Sequence, residues 1–558
     1  MIPVNPRTDL KTHDVFNQAP PMADINLFET DTCLVEAIER EGAGQHRHAL
    51  SAFGKRVGTA EVYEWGFEAN RNAPQLKTFD RTGQRIDEVT FHPAYHNLLG
   101  LGISHGVSSF AWLTKRGGHV AHTALHYLLG QVESSVNCPI TMTYAAVPAL
   151  RANPKLSAFW EPKILASTYD PASRPANEKA GVTIGMAMTE KQGGSDVRSN
   201  TTKAVPIGDG LYELTGHKWF CSAPMCDAFL TLAYTDEDRQ TGLTCFLVPR
   251  WRPDGTRNQV HIMRLKDKLG DRANASSEIE YHGALAWPLG EIGRGIPTII
   301  EMVQHTRLDC TNGAGLLMRQ AVAQALWHVS HRSAFQRKLI DQPLMRQVLA
   351  DLLLEVEAAT ALTFRIARSF DEKGTDETAR LFARIATPIG KYCVNKRVVP
   401  VVFEAMECLG GAGFVEESIL PRIYRQSPLN SIWEGSGNVI CLDVLRAMAR
   451  SPDAVEVVLA EIAQAKGASA PFDRALDDLK ERLRPEAITE QSARHLTERF
   501  GLLLQASLLL RHTPAAIGET FAETRLGEGR GGASFGAFSK AVDADVIIER
   551  GSPLKAAA

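Results

Sequence analysis

One carboxylate in the sequence stands in a setting that suits a general base. Glu434 follows Trp433 and precedes a Gly-Ser-Gly turn that leads into an apolar helical pattern. A carboxylate beside an aromatic ring can lose solvent, which raises its pKa towards the working range of a base. The alternative is a glutamate in the first turn of a helix, where its charge stabilises the helix macrodipole. The segment alone leaves both interpretations open.

A glycine-rich segment at residues 186–197, MAMTEKQGGSDV, is suited to a flat or phosphate-bearing ligand. Gly193 and Gly194 have no side chains, so the backbone can approach a ligand closely. Thr189 and Ser195 add hydroxyls, and consecutive N–H groups in such a loop can bind an anion. An ordinary surface turn is the alternative.

A third segment, GHKWFCS at residues 216–222, places an indole in a predicted strand. Trp219 either packs in the core, the usual fate of an indole, or flanks a flat ring system. In the second case Cys221 or Ser222 would hydrogen-bond the edge of that ring.

Three histidines share one face of a predicted helix, because His119, His122 and His126 are spaced by three and four residues. Metal binding would require a carboxylate or a fourth ligand, and hydrogen-bond partners for the other ring nitrogens. We therefore predict no metal site there.

The elements that must position these residues change in type along the chain. A helical period dominates to about residue 180, short β-branched and aromatic segments separated by turn signals follow to about 292, and the helical period then returns. We predict a mainly α protein with a central β domain. Its four domains would be an N-terminal arm with a helical domain at 1–180, a β domain at 181–292, a helical bundle at 293–450 and a C-terminal helical domain at 451–558.

Composition excludes several classes of protein. The 558 residues are 44% hydrophobic and 22% charged, which excludes disorder and fibrous repeats as the main organisation. The net charge of −3 shows no general excess of basic residues for nucleic acid. The longest aliphatic tract, Leu502–Leu510, is too short to cross a membrane. Nine cysteines without a C-x-x-C pair predict reduced thiols in a cytoplasmic protein.

Together the three segments resemble the acyl-CoA dehydrogenase flavoproteins. That family has an M-x-T-E-x-x-x-G-S-D loop, a K-x-W strand, an L-G-G-x-G-[YF] turn and an E-G-[ST] segment. This chain has MAMTEKQGGSD, HKWF, LGGAGF at 409–414 and WEGSGN, and HRSAF at 331–335 fits the family's R-x-x-F region. Segments such as RLKDKLGDRANAS further resemble the AidB branch, which is linked to the adaptive response to DNA alkylation.

The resemblance implies a fold, a cofactor and a reaction. The fold has an N-terminal α-helical domain, a middle β-barrel-like domain and a C-terminal helical bundle, to which the branch adds a helical domain. FAD accepts a hydride from an acyl thioester while a carboxylate, matched here by Glu434, removes the α-proton. Arg332 matches a position that reaches the FAD of a neighbouring subunit in a homotetramer. The other implied FAD contacts are Met186, Met188, Thr189, Gly194, Ser195, Phe220, Cys221, Ser222, Trp433, Gly435 and Asn438.

Departures from the family pattern affect the expected activity. Trp433 is bulkier than its family counterpart and Arg446 lies 12 residues beyond Glu434, so both are predicted to line and narrow the acyl channel. A cation paired with the carboxylate would lower its pKa. In the family the hydroxyl that contacts the flavin follows the tryptophan by two residues, as W-I-T. In this chain, with W-F-C-S, it follows by three. We therefore expect weak or vestigial dehydrogenation.

The branch also implies double-stranded DNA binding by the last domain. The candidate contacts are Arg482, Arg484, Arg494 and Arg499, but residues 451–558 hold 13 basic and 16 acidic residues, so a solvated helix surface is the alternative. Three hypotheses follow. The chain is an AidB-type FAD protein that binds DNA, an ordinary short- or branched-chain acyl-CoA dehydrogenase without a nucleic-acid role, or a non-catalytic DNA-binding flavoprotein.

Overall fold

The structure is a computed structural model that describes residues 10–527, 533–540 and 542–554. The first nine residues of the expected N-terminal arm and the last four of the expected C-terminal domain lie outside the described residues. The described helices are α1 (Thr32–Arg40), α2 (Arg47–Val57), α3 (Ala60–Arg71), α4 (Pro93–Ser104), α5 (Phe110–Leu113), α6 (Gly118–Val132), α7 (Asn137–Leu150), α8 (Pro154–Ile164), α9 (Gly295–His331), α10 (Pro343–Glu372), α11 (Glu377–Glu407), α12 (Gly411–Phe414), α13 (Leu420–Gln426), α14 (Gly437–Arg450), α15 (Pro452–Ala463), α16 (Ala470–Arg482), α17 (Ala493–His512), α18 (Ala515–Leu526) and α19 (Ala544–Gly551).

Most described strands fall between the two helical parts of the chain, as the sequence predicts. The strands are β1 (Gln75–Phe79), β2 (Arg85–Thr90), β3 (Ile184–Ala187), β4 (Lys203–Gly208), β5 (Leu211–Ser222), β6 (Ala228–Tyr234), β7 (Leu243–Pro249), β8 (Val260–Leu265), β9 (Ser276–Leu289), β10 (Ser333–Ala334) and β11 (Arg337–Lys338). The predicted fold class, helical with a central sheet, is confirmed.

The chain divides into two compact units. Unit 1 comprises Met1–Glu64, Lys115–Val132 and Cys310–Ala558, and unit 2 comprises Trp65–Thr114 and Glu133–Asp309. Unit 2 contains the large sheet, whereas unit 1 is built almost entirely of helices. The four domain boundaries set by the sequence remain predictions.

The sheet of unit 2 has seven strands and closes on itself. Its strands follow the order β3-β6-β4-β5-β9-β7, β8 pairs with β9, and an additional pairing between β6 and β7 closes the ring. Both β6 and β7 are buried along their whole length, which explains their continuous apolar sequences. The predicted barrel-like middle domain is therefore present.

The core of unit 1 lies between its two longest complete helices, α10 and α11, which also contact α17. Buried ion pairs attach the last helices to this core. Arg525 of α18 pairs with Asp351 and, at 2.9 Å, with Glu355, and Arg550 of α19 pairs with Glu357 at 2.7 Å. Removing either partner of such a pair leaves an uncompensated buried charge, so the pairs fix where the last helices pack.

Among the residues described, we find no helix whose length and apolar character would allow it to span a membrane.

A further buried ion pair anchors the segment that follows β3 in unit 2. The Glu190 carboxylate accepts hydrogen bonds from Lys218 Nζ at 2.9 Å and from Thr202 Oγ1 at 2.6 Å, and neither charged side chain is exposed. Burial alone would raise the pKa of Glu190, but attraction to Lys218 and the hydrogen bonds from Thr202 and Thr201 lower it to about 2. The glycine-rich loop is thus tied to β5 by a charge that must remain ionised.

We expect Glu190→Gln to destabilise the protein at pH 7 by about 3–5 kcal/mol, because Lys218 would stay buried without its counter-charge. The carboxylate contributes stability above its unfolded pKa of about 4.3 and loses it as the pH falls towards about 2. The difference in Tm between wild type and variant, measured by calorimetry, should therefore shrink on acidification below about pH 4.

The double variant Glu190→Gln/Lys218→Met serves as the control, because it removes both charges and should recover much of the lost Tm. Equal Tm values for wild type and Glu190→Gln at pH 7 would contradict the assignment of this pair as a stabilising anchor.

Candidate functional site

The loop after β3 in unit 2 is a tight turn that requires glycine. Glu190 and Gly193 pair across it through two backbone hydrogen bonds of 3.1 and 3.3 Å. A Cβ atom on Gly194 would lie 2.5 Å from Thr189 Oγ1, closer than real Cβ contacts. Gly194 and Ser195 are exposed and Thr189 is half-buried. The predicted ligand loop is therefore compact, and its backbone and two hydroxyls are accessible.

The end of β5 joins this loop, since the Trp219 backbone N–H donates to the Thr189 carbonyl at 2.8 Å. The register of β5 against β9 shifts between Lys218 and Cys221. Cys221 has essentially no accessible surface, and burial raises the pKa of its thiol. Ser222 is half-buried, with its Oγ 3.2 Å from that of Ser276. Ser222 is thus the hydroxyl that lies one residue later than in the family pattern, and it is accessible. Cys221 has no accessible atom, so the structure does not support the predicted contact between Cys221 and the cofactor.

Trp219 is half-buried rather than a core residue, and three cations surround its ring. The distances from the indole centroid are 3.3 Å to Lys266 Nζ, 5.6 Å to Lys191 Nζ and 5.7 Å to the Arg264 guanidinium carbon. The neighbouring Phe220 is 51% exposed. No local sequence pattern signals these cations, because they and the ring come from separate segments.

The segment that carries Glu434 in unit 1 is a strained turn. Trp433 Nε1 donates to Asn430 Oδ1 at 2.7 Å, and Glu434 and Gly435 adopt φ angles of 56° and 102°. A glutamate in the left-handed region is uncommon and requires its surroundings to hold it there. Glu434 also lies before α14, whose N-cap is Ser436. The alternative of a glutamate inside the first helical turn is therefore wrong.

A buried lysine that the sequence did not single out supports this turn. Lys391 of α11 is 1% exposed and its Nζ donates to the Gly435 carbonyl at 2.7 Å. Asn438 is exposed in the first turn of α14, and Ser436 forms no side-chain cap. The first N–H groups of α14 are therefore not capped by its side chain, and helix N-termini of this kind favour anions.

The structure gives the other predicted site residues of unit 1, Trp433, Arg332 and Arg446, few specific contacts. Trp433 is half-buried, and Arg332 donates to the Asn17 carbonyl at 2.8 Å. Arg446 is exposed on α14 and makes no ion pair with the residues that the structure describes. The expected pairing of Arg446 with Glu434 is thus not formed within the described chain, and its place in an acyl channel remains a prediction.

The four arginines proposed for DNA lie around α16 and α17. Arg482 pairs with Asp478 at 2.8 Å, and Arg494 Nε donates to the Tyr392 hydroxyl at 3.0 Å. Arg482, Arg484 and Arg494 are exposed, whereas Arg499 is half-buried.

The three histidines of α6 are all buried. His126 Nδ1 lies 3.0 Å from the Asn312 amide nitrogen. Across the described ranges, no group of three His, Cys, Asp or Glu side chains is arranged to hold a metal ion.

The residues of the glycine-rich loop and of β5 fit a flavin nucleotide. Gly194 lets the Thr189 side chain lie directly against the loop backbone, Thr189, Ser195 and Ser222 offer hydroxyls, and Phe220 offers an exposed ring. Such groups suit the phosphate, sugar and ring parts of a nucleotide.

We expect Gly194→Ala to lower the FAD content of the purified protein, because the new methyl group would displace Thr189. Gly193→Ala is the matched control, since its Cβ would meet only Ser199 Oγ at 3.8 Å. The ratio of flavin to protein absorbance should fall in the first variant and stay unchanged in the second. Equal ratios would show that this loop does not hold the cofactor.

Comparisons with known proteins agree with this arrangement. The family model for the adaptive response protein AidB N-terminal domain matches residues 17–171, that for the acyl-CoA dehydrogenase middle domain 185–284 and that for its C-terminal domain 293–449. The putative acyl-CoA dehydrogenase AidB of Escherichia coli is 45% identical over 94% of this chain and 96% of its own. Acyl-CoA dehydrogenase family member 11 of Caenorhabditis elegans is 32% identical over 77% of this chain and 71% of its own.

Two solved structures resemble the chain along most of its length. ACDH-11 of Caenorhabditis elegans in complex with C11-CoA has a TM-score of 0.82 and 26% identity, covering 93% of this chain and 94% of its own. The apo form of Bd2924 has a TM-score of 0.80 and 27% identity, covering 89% and 100%. Members of the matched family are FAD flavoproteins. The chain therefore belongs to the acyl-CoA dehydrogenase family of FAD-dependent oxidoreductases, within its AidB branch.

Proposed function

We propose that Glu434 is the base of this oxidoreductase and removes the α-proton of an acyl thioester. The observation that carries the proposal is the turn itself, in which Glu434 has φ 56° and the next carbonyl is held by buried Lys391. Strained backbone at a residue that can titrate is typical of a site where orientation matters. The C11-CoA bound to ACDH-11 supports a fatty acyl-CoA as the class of substrate.

The proposed roles of the other site residues follow from their exposure. Bound FAD supplies the hydride acceptor for the β-carbon. Its contacts are proposed at the accessible residues Met186, Met188, Thr189, Gly194, Ser195, Phe220, Ser222, Trp433, Gly435 and Asn438. Trp433 precedes Glu434 in this turn and is half-buried, which is compatible with the proposed narrow acyl channel and a low turnover of ordinary acyl-CoAs.

We expect Glu434→Gln to slow bleaching of the flavin by a panel of acyl-CoAs by about 10²–10⁴-fold, because the amide cannot accept the α-proton. The exposed Glu417 provides the matched control, and Glu417→Gln should bleach at the wild-type rate. Stopped-flow absorbance of the flavin measures both. Bleaching at an unchanged rate in Glu434→Gln would assign the base to another residue.

A homotetramer is also proposed, supported by apolar side chains that unit 1 leaves uncovered. Phe335, Leu344 and Phe414 are 91%, 84% and 79% exposed, and Phe403 is 50% exposed. Several large exposed apolar residues on one unit are typical of protein interfaces. All nine cysteines are buried thiols, which supports the proposed cytoplasmic location.

We further propose that the protein binds double-stranded DNA and limits alkylation damage, as its AidB branch suggests. The support is the exposed position of Arg482, Arg484 and Arg494. The acidic balance of residues 451–558 favours the second candidate, an ordinary acyl-CoA dehydrogenase without a nucleic-acid role. Phosphate contacts of single subunits would therefore be few, and several subunits would have to contribute to affinity.

If the DNA proposal holds, electrophoretic retardation of a duplex should weaken steeply with salt. Replacing Arg482, Arg484 and Arg494 by glutamine should lower the slope of log K against log[salt] by about 0.9 for each phosphate that an arginine no longer neutralises. Arg380→Gln, at an exposed arginine of α11, is the control. Absence of retardation at low salt would remove the DNA role, whereas retardation without flavin bleaching by any thioester would indicate a non-catalytic DNA-binding flavoprotein.

A further inference from the structure

Unit 2 contains a cavity that includes none of the residues discussed so far for FAD, substrate or DNA. Its volume is about 210 Å³. It lies between the start of α4, the loop at 169–171, Thr183 before β3 and the turn at 223–226 that joins β5 to β6. Ligand pockets for drug-sized molecules are about 300–1,000 Å³, so this cavity suits a smaller molecule.

Two pairs of aromatic rings form much of the cavity wall. Phe91 and Tyr95 stack with centroids 4.2 Å apart and an interplanar angle of 13°. His96 and Tyr169 stack at 5.9 Å and 25°, and the His96 Nδ1 lies 2.8 Å from the Tyr169 hydroxyl. Burial lowers the pKa of His96, so its ring is neutral near pH 7. Neutral stacked rings favour a flat apolar body between or beside them.

Two buried polar groups of the cavity lining have spare hydrogen-bonding capacity. The Lys179 ammonium is 3% exposed and, within the described chain, donates only to Asp227 Oδ1, at 2.7 Å, although it carries three donors. Tyr95 is 3% exposed, and its hydroxyl makes no hydrogen bond with any described residue. The unused donors of the buried Lys179 ammonium therefore point to a ligand with acceptor atoms, and the Tyr95 hydroxyl, whose oxygen is not fully buried, can donate to the same ligand.

Two buried cations, Lys179 and Arg250, lie next to the cavity. Asp227 is attracted by two buried cations, Lys179 and Arg250. Arg250 forms no ion pair with a described carboxylate and donates instead to the Met225 carbonyl at 3.1 Å and to Ser173 Oγ at 3.3 Å. Burial and the nearby Arg257 lower the pKa of Arg250 to about 10, so it stays charged at neutral pH. Two further carboxylates lie close to these cations: Asp170, which also lines the cavity, attracts Lys179, and Glu88 attracts Arg250.

We propose that this cavity binds a small aromatic carboxylate, whose ring lies against the Phe91, Tyr95, His96 and Tyr169 wall and whose carboxylate accepts from Lys179. The ligand's carboxylate accepts from the Lys179 donors that Asp227 does not occupy. Its ring matches the aromatic wall of a cavity of about 210 Å³. This binding site is separate from the residues that the proposed function assigns to FAD and substrate.

Calorimetric titration of the FAD-loaded protein tests the chemical class of the ligand. We expect benzoate to bind with a dissociation constant of about 1 mM or tighter. Benzamide, which has the same shape without the charge, and hexanoate, which has the charge without the ring, should each bind at least about tenfold more weakly. Equal binding of benzoate and benzamide, or no saturable binding of benzoate, would overturn the proposal.

Two conservative variants and a heavy-atom probe test the location. Tyr95→Phe should weaken benzoate binding by about three- to tenfold, because the hydroxyl that donates to the ligand is removed. Tyr281→Phe, which removes a buried hydroxyl of β9 outside the cavity, should leave it unchanged.

In crystals of the FAD-loaded protein soaked with 4-iodobenzoate, the anomalous iodine peak should lie beside Phe91 and His96, and the flavin spectrum should not change. A peak only at the flavin, or a titration that alters the flavin absorbance, would show that the carboxylate enters the acyl-CoA site instead. Unchanged affinity in both tyrosine variants would equally count against this cavity.

Discussion

The arrangement of unit 2 depends on the ion pair between Glu190 and Lys218. Besides Glu190, the Lys218 ammonium donates to the Leu232 carbonyl of β6 at 2.9 Å, and Glu190 accepts from Thr201 and Thr202, which directly precede β4. A single pair therefore joins the glycine-rich loop to β5, to β6 and to the segment that leads into β4. Since both side chains are fully buried, the loop cannot move away without exposing the barrel interior to an unpaired charge. The position of the loop is thus set by the barrel core rather than by its own flexible sequence.

Unit 1 uses buried charge in a related way. The turn that carries Glu434 is supported by Lys391 from α11, and the last helices are attached through Arg525 and Arg550 to acidic residues of α10. In each case a cation from one element contacts an oxygen of a distant element. Apolar packing is tolerant of small shifts, whereas a buried charge requires its partner at hydrogen-bonding distance. The charges therefore require these elements to keep their positions relative to one another.

The sequence predicted those features that depend on local pattern. The continuous apolar strands of the barrel, the glycine at 194 and the carboxylate at 434 each follow from residues that are close together in the chain, and the family motifs added the cofactor. Lys391 and the cations around Trp219 were not predicted, because their partners lie in other segments. The burial of Cys221 was missed for another reason, since a register shift between two strands leaves no mark in the spacing of residues. The position of Arg446 in the sequence, 12 residues after Glu434, indicated how far along the helix it lies. It did not indicate the direction in which its side chain points.

That register shift in β5 has a consequence for redox chemistry. A cysteine within reach of a flavin is exposed to the peroxide that reduced flavins generate with oxygen, and thiolates are the form that is oxidised. The shift turns Cys221 into the barrel, where burial keeps it as a neutral thiol, and presents the hydroxyl of Ser222 instead. One additional residue in a strand thereby allows an oxidisable side chain to lie within the segment proposed to contact FAD without taking part in its chemistry.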